Sequence, residues 1–435
     1  MGQKRFAVRQ HQMIGPEKTC NATTLSLRAQ RSNLCLKMRL LRRLGLLAVT
    51  FCTASSFLAG MTPRFFVGKN SPFRAVEISS AYAGEDTLPT SWRNAQAGYQ
   101  FSFPQDHAAH PEYRIEWWYY TGNVETRNGR RFGYQLTFFR TGMIPTPTTP
   151  SRWAVRDLYM AHFAISDIDG QRFHTFERLN RAGINWAGAD TATYHVWNDS
   201  WEVRLQGDTH ILTAQNQGFR LDLRLTPEKP PVIHGEHGIS QKGAVAGNAS
   251  HYYSYTRLRT TGTLVVDNQP FEVTGTSWMD HEFGSTFLEQ EQVGWDWFSL
   301  QLEDGRELML FQIRRGGGAM DPYSSGTLID ADGHPTHLQA ETFTLTPKQW
   351  WRSQASGARY PINWEISLPQ QDMTLQVSAN LQNQELQTGE STRVTYWEGS
   401  VSVTGNTKTG AVNGRGYLEM TGYTGPGMGA IFSRQ

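Results

Sequence analysis

The segment Ser277-Trp278-Met279-Asp280-His281-Glu282-Phe283-Gly284 sets an acid, an imidazole and a second acid in succession beside an indole. Along a strand, neighbouring side chains point to opposite faces, so Trp278, Asp280 and Glu282 share one face and Met279 and His281 the other. A carboxyl group buried among rings has its pKa raised by desolvation and can serve as a general acid near neutral pH. The plainer alternative, in which Asp280 and Glu282 cap or pair at a strand end next to Gly284, stays open at this level.

Other clusters carry reactive types. His251-Tyr252-Tyr253 follows Gly247-Asn248-Ala249-Ser250 and puts His251 and Tyr253 on one strand face, with packing or rim positions as the simpler account of the tyrosines. His234-Gly235-Glu236-His237 has metal-ligand types at close spacing but lacks a third, distant ligand, so no metal or cofactor is expected. Large rings in Glu116-Trp117-Trp118-Tyr119-Tyr120 and Trp295-Asp296-Trp297-Phe298 face both sides of their strands, where they either fill a small barrel or line an apolar cavity. The chain has no G-x-S-x-G elbow, glycine-rich phosphate loop or H-E-x-x-H helix, which disfavours serine hydrolases and nucleotide-dependent enzymes.

The elements that must position these groups are strands. Aromatic residues make up 12% of the 435, alongside 41 Gly, a mixture of rigid rings and turn formers that suits hairpins more than helices. That length accommodates two domains. A formal net charge of +2, with both signs interspersed, leaves no basic face for nucleic acid. From Gly98 onward, short alternating runs are separated by turn signals such as Arg127-Asn128-Gly129-Arg130. Short helices are expected only near Pro347 to Trp351 and Phe287 to Gln290. The stretch Pro227 to Ala249 breaks the strand pattern and reads as a long functional loop crossing a barrel mouth.

Internal repetition divides the chain. Val273-Thr-Gly275-Thr-Ser277-Trp278-Met279-Asp280 recurs as Val412-Asn-Gly414-Arg-Gly416-Tyr417-Leu418-Glu419, and Glu116-Trp117-Trp118-Tyr119 is echoed by Asp296-Trp297-Phe298-Ser299 in the same chain order. Two curled antiparallel sheets are therefore expected, residues 98–286 and 287–435, after a linker at 84–97. Arg39, Arg42 and Arg43 precede the uncharged segment 44–63, the order of a signal peptide or a single membrane anchor within a leader at 1–83. Export to the periplasm or secretion follows, with membrane association through the N-terminus if the segment is kept. Cys20, Cys35 and Cys52 all fall in that leader, so no disulfide or cysteine nucleophile is available from residue 84 onward.

Between Tyr99 and Tyr423 the segments Glu116 to Asn123, Tyr134 to Phe139, Lys229-Pro230-Pro231, Gly247 to Ser250, Ser277 to Gly284 and Gly294 to Leu300 resemble the AttH-like proteins. These are often labelled secreted hydrolases and group with the carotenoid 1,2-hydratases. The resemblance implies an all-β fold of two tandem lipocalin-like (calycin) antiparallel β-barrel domains and a hydrophobic ligand, a lipid or isoprenoid. In the carotenoid hydratases the functional set resembles a His-x-Trp pair followed by a Tyr-x-Asp pair; here those positions fall on His251, Tyr253, Trp278 and Asp280, with the two ring types exchanged. That set implies proton delivery from Asp280 to an alkene, stabilisation of the cation by Trp278 and Tyr253, and addition of water. Trp117, Trp118, Tyr119, His281, Trp295 and Trp297 are the expected ligand-binding residues. The leading expectation is an exported lipocalin-like protein that binds an apolar lipid or isoprenoid and, if it is an enzyme, acts as a cofactor-independent hydratase through Asp280. A non-catalytic lipid carrier serving an ABC-type membrane transporter and a secreted hydrolase are its rivals.

Overall fold

The computed structural model describes residues 91–429 apart from 147–150, 152, 287 and 426. The expected leader, its apolar segment 44–63 and the three cysteines lie outside the described residues, all of which belong to the unit Glu85–Gln435.

Short alternating segments and long doubly buried ones give the first thirteen strands. These are β1 (Ile115–Thr126), β2 (Arg131–Gly142), β3 (Asp157–Asp167), β4 (Arg172–Arg181), β5 (Ala187–Ala189), β6 (His195–Asn198), β7 (Trp201–Gln206), β8 (Thr209–Asn216), β9 (Phe219–Pro227), β10 (Val232–Ile233), β11 (Ser240–Gln241), β12 (Ala249–Val266) and β13 (Gln269–Thr286). They pair in the order β4-β3-β2-β1-β13-β12-β9-β8-β7-β6-β5, with β10 and β11 attached to β12. The two ends of this sheet meet. Asn198 on β6 donates to the Tyr159 carbonyl on β3 and accepts from Asn180 on β4, while Arg178 on β4 reaches the Asn198 carbonyl. Curling in this way removes exposed edges that would otherwise template aggregation. Trp118, Tyr134, Phe163, Trp201, Leu223 and Met279 pack its interior.

The second sheet comprises β14 (Gln292–Leu302), β15 (Glu307–Arg315), β16 (Ser325–Ile329), β17 (Pro335–Gln339), β18 (Thr344–Arg352), β19 (Arg359–Leu368), β20 (Met373–Ala379), β21 (Glu385–Gln387), β22 (Thr395–Thr407) and β23 (Gly410–Met420). Their order is β17-β16-β15-β14-β23-β22-β20-β19-β18, with β21 on β22. Phe298, Leu310, Trp364, Trp397 and Leu418 fill this second, lipocalin-like barrel. The repeat read in the sequence has a structural counterpart, because β13 lies between β1 and β12 as β23 lies between β14 and β22. Even an ion pair is duplicated: Arg140 on β2 binds Glu116 on β1, and Arg314 on β15 binds Asp296 on β14.

Two local expectations are corrected. Pro347 to Trp351 is not a helix but part of β18, and Leu288 to Gln290 forms no helix either. Proline is tolerated in β18 because that strand ends its sheet and its pairing is irregular between Pro347 and Trp350.

The barrels join through an apolar layer that includes Tyr119, Tyr252, Trp278, Trp297, Phe311 and Tyr417. Close approach depends on Gly133 of β2, where a Cβ atom would stand 2.6 Å from the Tyr417 hydroxyl and 2.8 Å from Ser400 Cβ. Gly133→Val is therefore expected to wedge the sheets apart at a cost of about 1–3 kcal/mol, read by urea unfolding. An unchanged midpoint would show that the barrels are not tightly docked there.

Candidate active site between the two sheets

The strands β1, β13 and β12 form a wall with two chemically different faces. One face looks into the first barrel and the other toward the second sheet. Period-two alternation places Trp278, Asp280 and Glu282 on the outward face, as their spacing suggests, beside Tyr119 and Trp117 of β1. Register sets Asp280 opposite Ser254 and Glu282 opposite Tyr252 on β12.

Asp280 is 4% exposed and its carboxyl accepts three hydrogen bonds. Tyr252 donates its hydroxyl proton to Oδ2 at 2.7 Å, and the Trp278 indole and the Ser254 hydroxyl donate to Oδ1, the indole at 2.6 Å. Burial raises its pKa to about 7; the three donors oppose that rise and the Glu282 carboxylate adds to it. Burial thus outweighs three hydrogen bonds. Tyr252 itself accepts from the Trp297 indole at 3.1 Å, which ties the second sheet to the acid.

The stretch Pro227 to Ala249 is not an open loop over a barrel mouth. Its β10 and β11 pair with β12, and its side chains pack on the carboxylate face. His234 hydrogen bonds to Thr327 through Nδ1 at 2.8 Å and to Ser254 through Nε2 at 2.7 Å. Burial holds this imidazole neutral, with a pKa lowered to about 3. A neutral ring accepts from Thr327 and donates to Ser254, which donates in turn to Asp280, giving one consistent relay. Lys242 lies 3.3 Å from the Glu282 carboxylate and 3.9 Å above the Phe311 ring.

The second sheet answers with acids of its own. Glu419 occupies the repeat position equivalent to Asp280, and the two stand on facing sheets. Burial, the nearby Asp280 and the nearby Glu282 raise its pKa to about 7 against one indole hydrogen bond from Trp295 at 3.3 Å. Glu419 nevertheless keeps accessible surface, as do Trp117, Trp295, Tyr323 and Val394 around the same layer. Beside Glu419, Glu398 on β22 accepts from Tyr119, and burial with repulsion from Glu419 holds it protonated well above the usual range.

The four residues implied by the family resemblance do not converge. Trp278 touches Asp280, whereas His251 and Tyr253 face the interior of the first barrel. His251 stacks on Tyr99 with ring centroids 4.3 Å apart and bonds to the Gly238 carbonyl at 3.0 Å. The β12 residues that do meet Asp280 are Tyr252 and Ser254, one position along in each case; a shift of one residue moves a side chain through the sheet. Among the expected ligand-binding residues, Trp117, Tyr119, Trp295 and Trp297 belong to the inter-sheet layer. Trp118 and His281 instead stack on each other inside the barrel, centroids 4.9 Å apart.

That interior holds a separate, closed network. His281 sits 2.9 Å from Glu116 and 3.0 Å from the Tyr253 hydroxyl, and Tyr253 lies 2.6 Å from His107. Arg140 and His110 complete the shell around Glu116. His110, Glu116 and His281 could together present three ligand atoms to a metal ion, but Arg140 already supplies the buried positive charge. Sequence reasoning missed Tyr252, Ser254, Lys242, Glu398 and Glu419 as site residues; the repeat that aligns Glu419 with Asp280 is the signal that could have found the last of them.

The model of the AttH-like family matches residues 94–423. The chain belongs to the AttH-like family. Its fold matches the crystal structure of an AttH from Nitrosomonas europaea at 35% identity and a TM-score of 0.69, over 75% of this chain and 98% of that one. Kievitone hydratase from Nectria haematococca shares the AttH-like fold at 16% identity and a TM-score of 0.59, over 77% of this chain and 97% of that one. Dehydratase asqC of Emericella nidulans is 23% identical over 220 residues, which are 49% of this chain and 61% of the dehydratase; the rest of that relative is not spanned.

Proposed function

We propose that this AttH-like protein adds water to, or removes it from, an apolar lipid or isoprenoid held between the two sheets, with Asp280 as the acid. The observation that carries this reading is a carboxyl buried among Tyr252, Trp278 and Trp297 whose pKa is raised to about 7, so that it is present as both acid and base at neutral pH. The proton of Asp280 passes to one alkene carbon as the π bond opens, and the cation left on the other carbon is stabilised by the ring faces of Trp278, Trp297 and Tyr119. Water then forms the C–O bond and gives its proton to a carboxylate, Glu419 being the accessible one. The reverse sequence is dehydration. Overall, hydration consumes only alkene and water, and no electron leaves the substrate.

A hydratase among the shared folds and a dehydratase among the sequence relatives support the reaction class. The basic-then-apolar N-terminal order supports export, to the periplasm or beyond. A direct test is to extract the apolar molecule that co-purifies with the protein, identify it by mass spectrometry and incubate it with enzyme in heavy-oxygen water. Label is expected in the alcohol product. A retained alkene that gains no label from solvent would sink the reading.

The charge layout adds a pH prediction. Hydration requires protonated Asp280 and ionised Glu419, both with pKa values raised to about 7, so its rate is expected to peak near pH 7 and to fall on the alkaline side as Asp280 ionises. Because Glu282 pushes the Asp280 pKa upward, Glu282→Gln is expected to move the falling limb to lower pH. A limb that stays in place in a pH series on both proteins would detach Asp280 from the rate.

A further inference from the structure

Next to the acid, the two sheets enclose a polar patch that the proposed chemistry does not use. On the first sheet, Thr121 of β1 stands opposite Gln135 of β2. On the second, Tyr396 and Glu398 lie two residues apart on one face of β22. Two hydrogen bonds hold the patches face to face: Tyr119 donates to Glu398 Oε1, and the Gln135 amide donates to the Tyr396 hydroxyl at 3.3 Å. One end is closed where Asn123 donates to the Gly416 carbonyl at 3.0 Å and accepts from Ser400. The other end leads past Tyr119, whose strand position pairs with Asp280.

Three polar atoms in this patch have no hydrogen-bond partner among the described residues: Thr121 Oγ1, Gln135 Oε1 and Glu398 Oε2. Their residues are 1%, 2% and 1% exposed, so bulk water does not serve them. Leaving a buried polar atom unmatched costs roughly 1–3 kcal/mol, and native proteins keep such atoms rare. Three in one patch, on both walls, call for a shared partner. They do not bond one another.

The donor and acceptor types define that partner. Glu398, protonated, offers an O–H at Oε2, because Oε1 is occupied by Tyr119. Gln135 Oε1 only accepts, and Thr121 does either. A carbonyl would satisfy Glu398 and leave Gln135 unmet. A carboxylate would face the Gln135 oxygen and the Glu419 carboxyl. A hydroxyl group accepts from one wall and donates to the other.

We infer that the patch formed by Thr121, Gln135 and Glu398 is the hydroxyl-binding end of the ligand site, and that the ligand is an apolar alcohol rather than a bare hydrocarbon. This rests on the inter-sheet ligand reading above and adds the oxygen function to it. The alcohol lies with its hydroxyl on Glu398 and its chain along Tyr119 and Trp297 toward Asp280.

Farnesol and farnesene, the same chain with and without a hydroxyl, provide the test through quenching of tryptophan fluorescence. The native protein is expected to bind farnesol about tenfold more tightly, the worth of one good buried hydrogen bond. Glu398→Leu and Thr121→Val should bring the ratio close to one. Glu398→Gln should preserve it, since an amide N–H takes the place of the acid O–H. Near-UV circular dichroism establishes that each variant is folded, and the near-isosteric Thr121→Val decides the matter if Glu398→Leu does not fold. Equal affinities in the native protein, or a preference that survives both Glu398→Leu and Thr121→Val, overturn the inference and leave the acid chemistry standing. Binding of neither probe overturns the inter-sheet ligand site, and the inference with it. Loss of the alcohol preference in Asp280→Asn would place the hydroxyl at the acid and also refute it.

Discussion

Asp280→Asn is expected to slow turnover by about 10²- to 10⁴-fold, the usual worth of a positioned acid, while leaving the fold and ligand binding in place. Asparagine keeps the shape, accepts from Trp278 and Ser254 through its one oxygen and donates its amide N–H to the Tyr252 hydroxyl, which turns to accept it, but it has no acidic proton to give. The substitution also has a stability signature whose sign follows from the titration. The folded pKa of Asp280, about 7, exceeds its ordinary value of 3.8, so burying the group opposes folding increasingly as pH rises from the lower value to the higher. The variant should therefore melt at a higher temperature than the native protein at pH 8 and at nearly the same temperature at pH 4. Activity loss combined with a lower melting temperature at pH 8 would mean that Asp280 is structural. Full activity would remove it from the mechanism.

The largest effect on stability is expected from Arg140→Met. Its guanidinium contacts Glu116 and Asp157 at 3.1 Å each and donates to the carbonyls of His110 and Tyr113 at 2.9 and 2.7 Å, all away from solvent. Removing one partner from such a cluster strands buried charge and costs about 3–5 kcal/mol, which guanidinium unfolding at pH 7 would register. Glu116 and His110 titrate in opposite senses around it. Burial disfavours the charged form of Glu116, but Arg140, His110 and His281 overrule that and hold its pKa below 4.5; its stabilisation is lost as pH falls. Burial disfavours the charged form of His110 too, yet Asp106 and Glu116 raise its pKa from 6.5 to about 9. Its contribution is complete below 6.5 and fades as pH rises through 9. Native stability should thus be greatest between about pH 5 and 7, and the acid flank should flatten in the variant, because Arg140 is the largest of the influences that lower the Glu116 pKa. A loss below about 1 kcal/mol would show that the cluster relaxes around the missing charge.

What the sequence made legible was alternation and repetition. Trp278, Asp280 and Glu282 share a face because strand periodicity leaves no other arrangement, and the repeat ending in Glu419 marked two equivalent strands before any sheet was known. Hidden from it was the pairing register of β12 on β13. His251 and Tyr253 sit one residue away from the positions that meet Asp280, and only the hydrogen-bonded ladder decides between Tyr252 and Tyr253. Contacts across the sheets were equally hidden, since Tyr119 to Glu398 spans 279 positions. The segment Tyr99 to His110 has no period at all, yet it carries Asp106 and His107 into buried positions in the first barrel.

β13 is bonded to β1 along one side and to β12 along the other, so the backbone beneath Asp280 is held from both directions. The second sheet meets that wall through side chains. A lineage can therefore exchange residues such as Trp295, Tyr323 and Val394, and with them the shape of the molecule admitted, without disturbing the strand that aims the acid. One fixed proton donor facing a replaceable wall is an arrangement in which new substrates can be acquired before any chemistry has to be reinvented.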